Sequence, residues 1–193
     1  KGIVVANIGD GAMGCGPVWE AMNMAAMDQF KYLWDEEYRG GLPIIFNFFN
    51  NQYGMGGQTT GETMAFGMLA RVGAGINPEQ MHAERVDGFN PLAVNDVMKR
   101  KKKLLEENKG PVLLDVVTYR FCGHSPSDAS SYRTKEELQA WMDQDPLKVY
   151  KEELIEAGVA QEDEISSIQE WVTELITEIC RLAVDENKSP RID

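Results

Sequence analysis

An aspartate sits inside a glycine run near the start of the sequence, Ile8-Gly9-Asp10-Gly11-Ala12-Met13-Gly14, between an apolar segment and a stretch of helix formers. The glycines satisfy GxGxxG, and a glycine-rich turn that enters a helix can receive a phosphate on its backbone N–H groups. A nicotinamide site of that kind also wants an acidic residue about 20 positions on, at the end of the next strand, to hold a ribose hydroxyl. Here the next strand-like run ends much later, at Phe49-Asn50-Asn51, without a carboxylate. Asp10 would also set a negative charge against the pyrophosphate. Both features make sense if Asp10 binds a metal. Magnesium takes about six oxygens near octahedral positions, a few from protein and the rest from phosphates and water. In a parallel sheet, Asp10 and Asn51 at the carboxyl ends of neighbouring strands lie on the edge where ligands of such folds bind. The Asp carboxylate, the Asn amide oxygen and a backbone carbonyl of the following loop then supply the protein ligands. A plainer alternative stands beside this one, with Asp10 capping the helix and Asn50-Asn51 forming an ordinary turn.

The elements that must position these residues are legible in outline. Gly2 to Ile8 and Pro43 to Phe49 are short apolar runs of the kind that form buried parallel strands, and Pro111 to Thr118 is a third. His82 to Val86 is a weaker strand candidate. Helix formers run unbroken from Pro17 to about Tyr38, where Arg39-Gly40-Gly41 stops them, and further helices are expected over Met64 to Ala70 and Pro91 to Asn108. Strand and helix alternate to about residue 118, which predicts an α/β fold with a doubly wound, mostly parallel sheet. Tyr119 to Thr134 reads as a long loop rich in Ser, Gly, Asp and aromatic residues. Lys135 to about Glu186 is expected to be a C-terminal helical extension, with stops near Asp145-Pro146 and Gly158. Ile165, Ile168, Val172, Ile176 and Cys180 give it one apolar face. The expected division is therefore 1–134 for the α/β domain and 135–193 for the helical part.

Composition narrows the partners. A formal net charge of -12 opposes nucleic acid and anionic membrane surfaces, and it means that a bound phosphate needs a cation, helix N-termini or a local basic group to offset repulsion. Cys15, Cys122 and Cys180 are far apart and lack CxxC spacing, which favours a reducing compartment over a disulfide framework or zinc site. No apolar run approaches the ~18 residues of a membrane span. Cytoplasm, or an organelle matrix after processing, is the expected location. The strand-like opening at Lys1 reads as a piece of a longer polypeptide. The run Lys99 to Lys103 reads as a solvated helix face. Trp19, Met22, Met24 and Met27 read as core or subunit interface, and His82 as structural.

The strings GDGAMGCGPVWEAMNMAA, NNQYGMG, RVDG, GPVLLDVVTYRFCGHSPSD and SSYRT, in this order, resemble the α subunit of thiamine-diphosphate-dependent 2-oxo acid dehydrogenases, the pyruvate, branched-chain and acetoin dehydrogenase family. The resemblance covers most of residues 1 to 150. It implies a thiamine-diphosphate-binding fold, with magnesium held by the Asp10 and Asn51 side chains and the Tyr53 carbonyl. It places the backbone around Gly11 and Ala12 against the cofactor. A lone loop histidine is more often a surface residue than a catalytic one, but the resemblance makes His124 a catalytic, cofactor-binding residue on the loop that closes over the diphosphate and the active-site entrance. The implied reaction is oxidative decarboxylation of a 2-oxo acid, or acetoin cleavage, with acyl transfer to the lipoyl group of a dihydrolipoyl acyltransferase. The implied partners are that enzyme and a β subunit, or β-like region, that completes the site within an oligomer. Two other readings stay open: a nicotinamide-dependent Rossmann oxidoreductase, and a non-catalytic interaction or scaffold fragment. Ser125 and Ser131 match serines phosphorylated in animal relatives, although a serine-rich loop is polar in any case.

The sequence also departs from the family. Met27 to Gly41 looks like an insertion of about a dozen residues. It is expected to lengthen the helix or add an arm outside the cofactor pocket, packing Phe30, Tyr32, Leu33 and Trp34 on another subunit or segment. Phe49 replaces a common acidic residue, and the family has a large segment before this start.

Overall fold

Period-two alternation within the apolar runs builds a sheet that is covered on both faces. In a computed structural model, which describes residues 2–191, the runs form β1 (Val4–Gly9), β2 (Ile44–Asn50), β3 (Glu84–Asp87) and β4 (Val112–Val117). All pairings are parallel, in the order β1-β2-β4-β3. Successive side chains point to opposite faces. Phe46, Phe48 and Leu113 therefore pack with Met22 of α1 (Gly16–Ala25) and Leu69 of α3 (Leu69–Ile76). Ile45, Val112, Leu114 and Val116 pack instead with Val97 and Leu105 of α4 (Pro91–Glu106). This is the doubly wound α/β arrangement that the alternation predicted. Register aligns the carboxyl ends: Gly9 lies opposite Phe49, and Asn50 and Asp87 both lie opposite Val117. Every loop that follows a strand thus leaves from one edge.

Several local expectations are overturned. β1 is not a buried strand: it pairs with β2 alone among the described residues, and Val4 and Val5 are 56% and 43% exposed. The helix from Pro17 does not run to Tyr38. It ends at Ala25, where the Ala26 carbonyl accepts Asn77 Nδ2 at 3.1 Å and Asp28 accepts the side-chain amide of Gln80. Tertiary partners for backbone and side chain outweigh the helix-forming composition of the segment. The chain then makes a single short turn, α2 (Gln29–Tyr32), and folds back, with Gly40 N donating to Phe30 O at 3.0 Å and Gly41 N to Asn108 O at 2.6 Å. Phe30 is buried under Trp34, while Tyr32, Leu33 and Tyr38 remain exposed. Met27 to Gly41 is thus a short helix with turns, not a helical extension.

The expected helix at Met64 begins only at Leu69. Thr63 N and Met64 N both bond to Thr59 O, at 2.9 and 2.8 Å, and hold that stretch in a turn. The basic run is not wholly solvated either. Lys101 is buried and pairs with Glu84 at 2.9 Å, and Arg100 adds two bonds to the same carboxylate at 2.6 and 2.8 Å. Of the four side chains read as core or interface, Met22 is core and Trp19 is edge-on to Phe66 with its indole N–H on Met13 O, whereas Met24 and Met27 are exposed. His82 bonds to Lys109 O at 2.7 Å, a structural role.

Arg100 first, then Lys101, holds the Glu84 carboxyl down at about 2. A depressed carboxyl stabilises the fold above its ordinary range and loses that contribution as pH falls toward its folded value. Glu84→Gln strands Lys101 but leaves Arg100 in water, so the cost lies between those of an exposed and a buried pair, about 1–2 kcal/mol at neutral pH. Urea unfolding should show most of that difference gone by about pH 3. A loss of equal size at both pH values would contradict the assignment.

The chain divides into two compact units, Lys1–Asp145 and Pro146–Asp193. α5 (Lys135–Met142) lies in the first. The second consists of α6 (Pro146–Glu156), which ends at Gly158 in a left-handed conformation with φ 66°, and α7 (Glu162–Ala183). A reciprocal capping box between Gln161 and Glu164 starts α7. Its apolar face, with Ile168, Trp171, Val172 and Ile176, is exposed. Among the described residues no helix is long and apolar enough to cross a membrane.

Candidate functional site

Asp10 follows β1 directly and opens a 3-10 turn, Asp10–Gly14. It caps neither helical element: Gly9 is the N-cap of the turn and Cys15 that of α1. The residue is 1% exposed, and Thr59 Oγ1 donates to its Oδ2 at 2.5 Å. Burial pushes the carboxyl up from its ordinary value, and the Thr59 hydroxyl with the backbone N–H groups of Gly11 and Gln52 pulls part of that back. Among the described residues no basic side chain is paired with it, and the leading influences on the carboxyl are burial and neutral donors. A buried carboxylate held only by neutral donors is costly, and a bound cation would remove the cost.

The second half of the site is the turn after β2. Asn51 Oδ1 accepts Tyr53 N at 2.9 Å, an Asx turn that leaves the amide oxygen a second lone pair. Gln52 takes φ 62°, the left-handed region that a non-glycine side chain occupies at a cost of roughly 1–3 kcal/mol. Gln52 O accepts Thr59 N at 2.8 Å, and Gly54 N donates to Gly57 O at 2.9 Å, so the chain doubles back and delivers Thr59 to Asp10. Gly11 and Ala12 are half-buried in the 3-10 turn, and a Cβ on Gly11 would touch Thr59 Cγ2 at 3.5 Å.

The two asparagines divide their work. Asn50 points into the sheet, where its Nδ2 donates to buried Asp115 at 2.8 Å and its Oδ1 has no partner among the described residues. Asn51 belongs to the loop side. Sequence pattern joins Asp10, Asn51 and Tyr53 at one sheet edge, and the structure links Asp10 to the 51–53 turn through Thr59, whose hydroxyl donates to Asp10 Oδ2 and whose N–H donates to Gln52 O. Among the described residues no group of three or more His, Cys, Asp or Glu could hold a metal. A hard-cation site of one carboxylate, one amide oxygen and one carbonyl does not need such a group. The donor set fits magnesium.

His124 lies elsewhere in the local network. It is exposed on the 119–134 loop, with Nδ1 3.2 Å from Arg120 and its backbone N–H donating to Asp128 at 2.7 Å. That N–H first, then the Tyr132 hydroxyl, holds Asp128 down at about 2. Its hydrogen bonds do not reach Asp10 or Asn51. The link is indirect: Arg120 also donates to Gly54 O at 3.0 Å, tying the histidine loop to the Asn51 turn.

A cleft of about 300 Å³ opens between these loops, lined in part by Asn51, Tyr53, Thr118, Tyr119 and Glu137. Tyr53 Oη donates to Glu137 Oε1 at 2.6 Å, and burial, followed by that carboxylate, pushes the Tyr53 hydroxyl up to about 12. Thr59, Gln52 and Glu137 were not foreseen from the sequence. Only Glu137 carried a signal, as the fourth residue of Thr134-Lys135-Glu136-Glu137, and that pattern reads as a helix cap.

The sequence model of the dehydrogenase E1 component matches residues 1–192. The chain belongs to this family. It is 34% identical to the mitochondrial pyruvate dehydrogenase E1 component subunit alpha type I of Ascaris suum over 192 residues, 98% of this chain and 44% of that protein. It is 32% identical to the pyruvate dehydrogenase E1 component subunit alpha of Rickettsia conorii over 171 residues, 89% of this chain and 48% of the relative. The corresponding mitochondrial subunit of Schizosaccharomyces pombe is 36% identical over 177 residues, 91% of this chain and 39% of its own length. This dehydrogenase E1 chain thus spans less than half the length of these relatives.

Proposed function

We propose that this chain is the metal- and diphosphate-holding portion of the α part of a thiamine-diphosphate-dependent 2-oxo acid dehydrogenase, with pyruvate the first substrate to test. One observation carries the site: a buried Asp10, with no basic partner among the described residues, is joined through Thr59 to the Asn51–Tyr53 turn in a dehydrogenase E1 chain. The nicotinamide reading of the glycine run fits neither that buried carboxylate nor the family. Asp10, Asn51 Oδ1 and the Tyr53 carbonyl would hold magnesium, and backbone at Gly11 and Ala12 would lie against the cofactor. Thiamine diphosphate, when bound, supplies the nucleophilic carbon and the electron sink for decarboxylation.

This chain's own residues position and neutralise. Thr59 fixes the Asp10 carboxylate, so that its oxygens need not reorganise when the cation arrives. The Asx turn fixes Asn51 in the same way. His124, exposed and braced by Arg120 and Asp128 on the 119–134 loop, would offer an imidazole for a hydrogen bond to an anionic ligand. By the family resemblance, a β part holds the other end of the cofactor and a dihydrolipoyl acyltransferase receives the acyl group. The setting would be the cytoplasm of a bacterium or the mitochondrial matrix. The test is decarboxylation of pyruvate and branched-chain 2-oxo acids, and cleavage of acetoin, by the full-length assembly, followed with an artificial electron acceptor. Omitting thiamine diphosphate, or chelating magnesium, should lower turnover at least about 100-fold. Undiminished turnover in chelator would contradict the proposal.

A further inference from the structure

Glu137 stands on α5, distant in sequence from the glycine run, yet one of its oxygens joins two loops of the site. Oε1 accepts the Tyr53 hydroxyl at 2.6 Å and the Tyr119 hydroxyl at 3.0 Å. The two tyrosines are 7% and 8% exposed. Hydrogen bonds to a carboxylate are roughly twice as strong as neutral ones. The rings repeat the tie: Tyr53 is edge-on to Tyr119 at 6.0 Å, and Tyr119 stacks on Trp141 of α5 at 5.0 Å. Arg133 lies 5.8 Å from the Tyr53 ring centre and 5.3 Å from that of Tyr119, but a guanidinium only donates and cannot replace the acceptor.

We infer that Glu137 is a positioning residue for the cation site, holding the Tyr53 ring so that the Tyr53 carbonyl keeps its place beside Asp10 and Asn51. The inference rests on the metal role proposed above for that carbonyl. The loop after β2, the loop after β4 and the start of α5 meet at this single carboxylate. With Glu137 truncated, two buried phenols lose their shared acceptor, and the simplest relief is rotation of Tyr53 toward solvent, which drags its peptide. α5 itself does not depend on the side chain. Thr134 Oγ1 caps the helix through the Glu137 backbone N–H at 3.1 Å, a bond that Glu137→Ala retains.

The test uses the full-length assembled protein carrying Glu137→Ala or Glu137→Gln. Two quantities are read: the magnesium concentration giving half-maximal thiamine diphosphate binding, and the rate of tryptic cleavage after Arg120 and Arg133 without cofactor. Glu137→Ala should raise the half-saturating magnesium about tenfold, with full occupancy still reached in excess metal. Glu137→Gln keeps an acceptor oxygen and should recover most of that loss. Cleavage should be faster in the alanine variant. Unchanged magnesium dependence in a folded Glu137→Ala protein overturns the positioning role, even if cleavage accelerates, because a merely structural contact would give that pair of results. If the unsubstituted protein binds the cofactor without regard to magnesium, the cation site itself has failed. The tie through Glu137 is then judged by cleavage alone, faster rates supporting it and unchanged rates overturning it.

Discussion

Asp10→Ala in the full-length assembly is expected to weaken thiamine diphosphate binding at least about 100-fold in magnesium, and to erase the difference between magnesium and chelator. Loss of a partner behind a metal ligand commonly costs 10–100-fold in affinity, and loss of the only charged ligand should cost more. The effect can be separated from unfolding. Asp10 is buried with its carboxyl pushed up by desolvation, so removing the charge relieves a penalty, while the stranded Thr59 hydroxyl costs roughly 1 kcal/mol. Asp10→Asn sharpens the distinction because its amide oxygen can still accept from Thr59, yet it carries no charge for the cation. Calorimetric titration of both variants checks this. Magnesium-dependent binding of undiminished strength in either would remove Asp10 from the site.

The second large effect concerns division of labour. Residues 1–193 produced alone are expected to turn over a 2-oxo acid at least about 1000-fold more slowly than the full assembly, because a reactive carbon left unpositioned forfeits most of the gain from orientation. The residues proposed to meet the cofactor here all suit its phosphate end: a carboxylate proposed to hold the cation, two loop oxygens and backbone at a glycine turn. The chain also displays apolar surface suited to association, in the outer edge of β1 and the open face of α7. Self-association of the isolated chain is the expected accompaniment. Comparing decarboxylation by the chain and by the assembly with an artificial electron acceptor decides the point. Rates of similar size would show that the chain carries a complete site.

What the sequence made legible follows from the range of the interactions involved. The strands were visible because short, continuous apolar runs bounded by turn residues have few other uses, and parallel register then carried Asp10 and Asn51 to one edge. The end of α1 at Ala25 was not visible, since it depends on Asn77 and Gln80, some fifty residues away. The late start of α3 is set by a turn around Thr59 whose backbone bonds leave no mark in composition. Thr59 and Glu137 were hidden for the same reason: both reach the site by a fold-back of chain that no local period encodes. The aspartate and asparagine were readable because strand ends place them. Thr59, which bonds Asp10, was not, because only the folded chain brings it near.

One cation is expected to sit among Asp10, Asn51 and Tyr53. The most direct measurement is an anomalous-scattering map of crystals of the assembly grown with thiamine diphosphate and manganese in place of magnesium. A single strong peak within coordination distance of an Asp10 carboxylate oxygen, Asn51 Oδ1 and the Tyr53 carbonyl is the expected result. Ordered cofactor diphosphate with no peak there, or with its peak on other residues, would contradict the account.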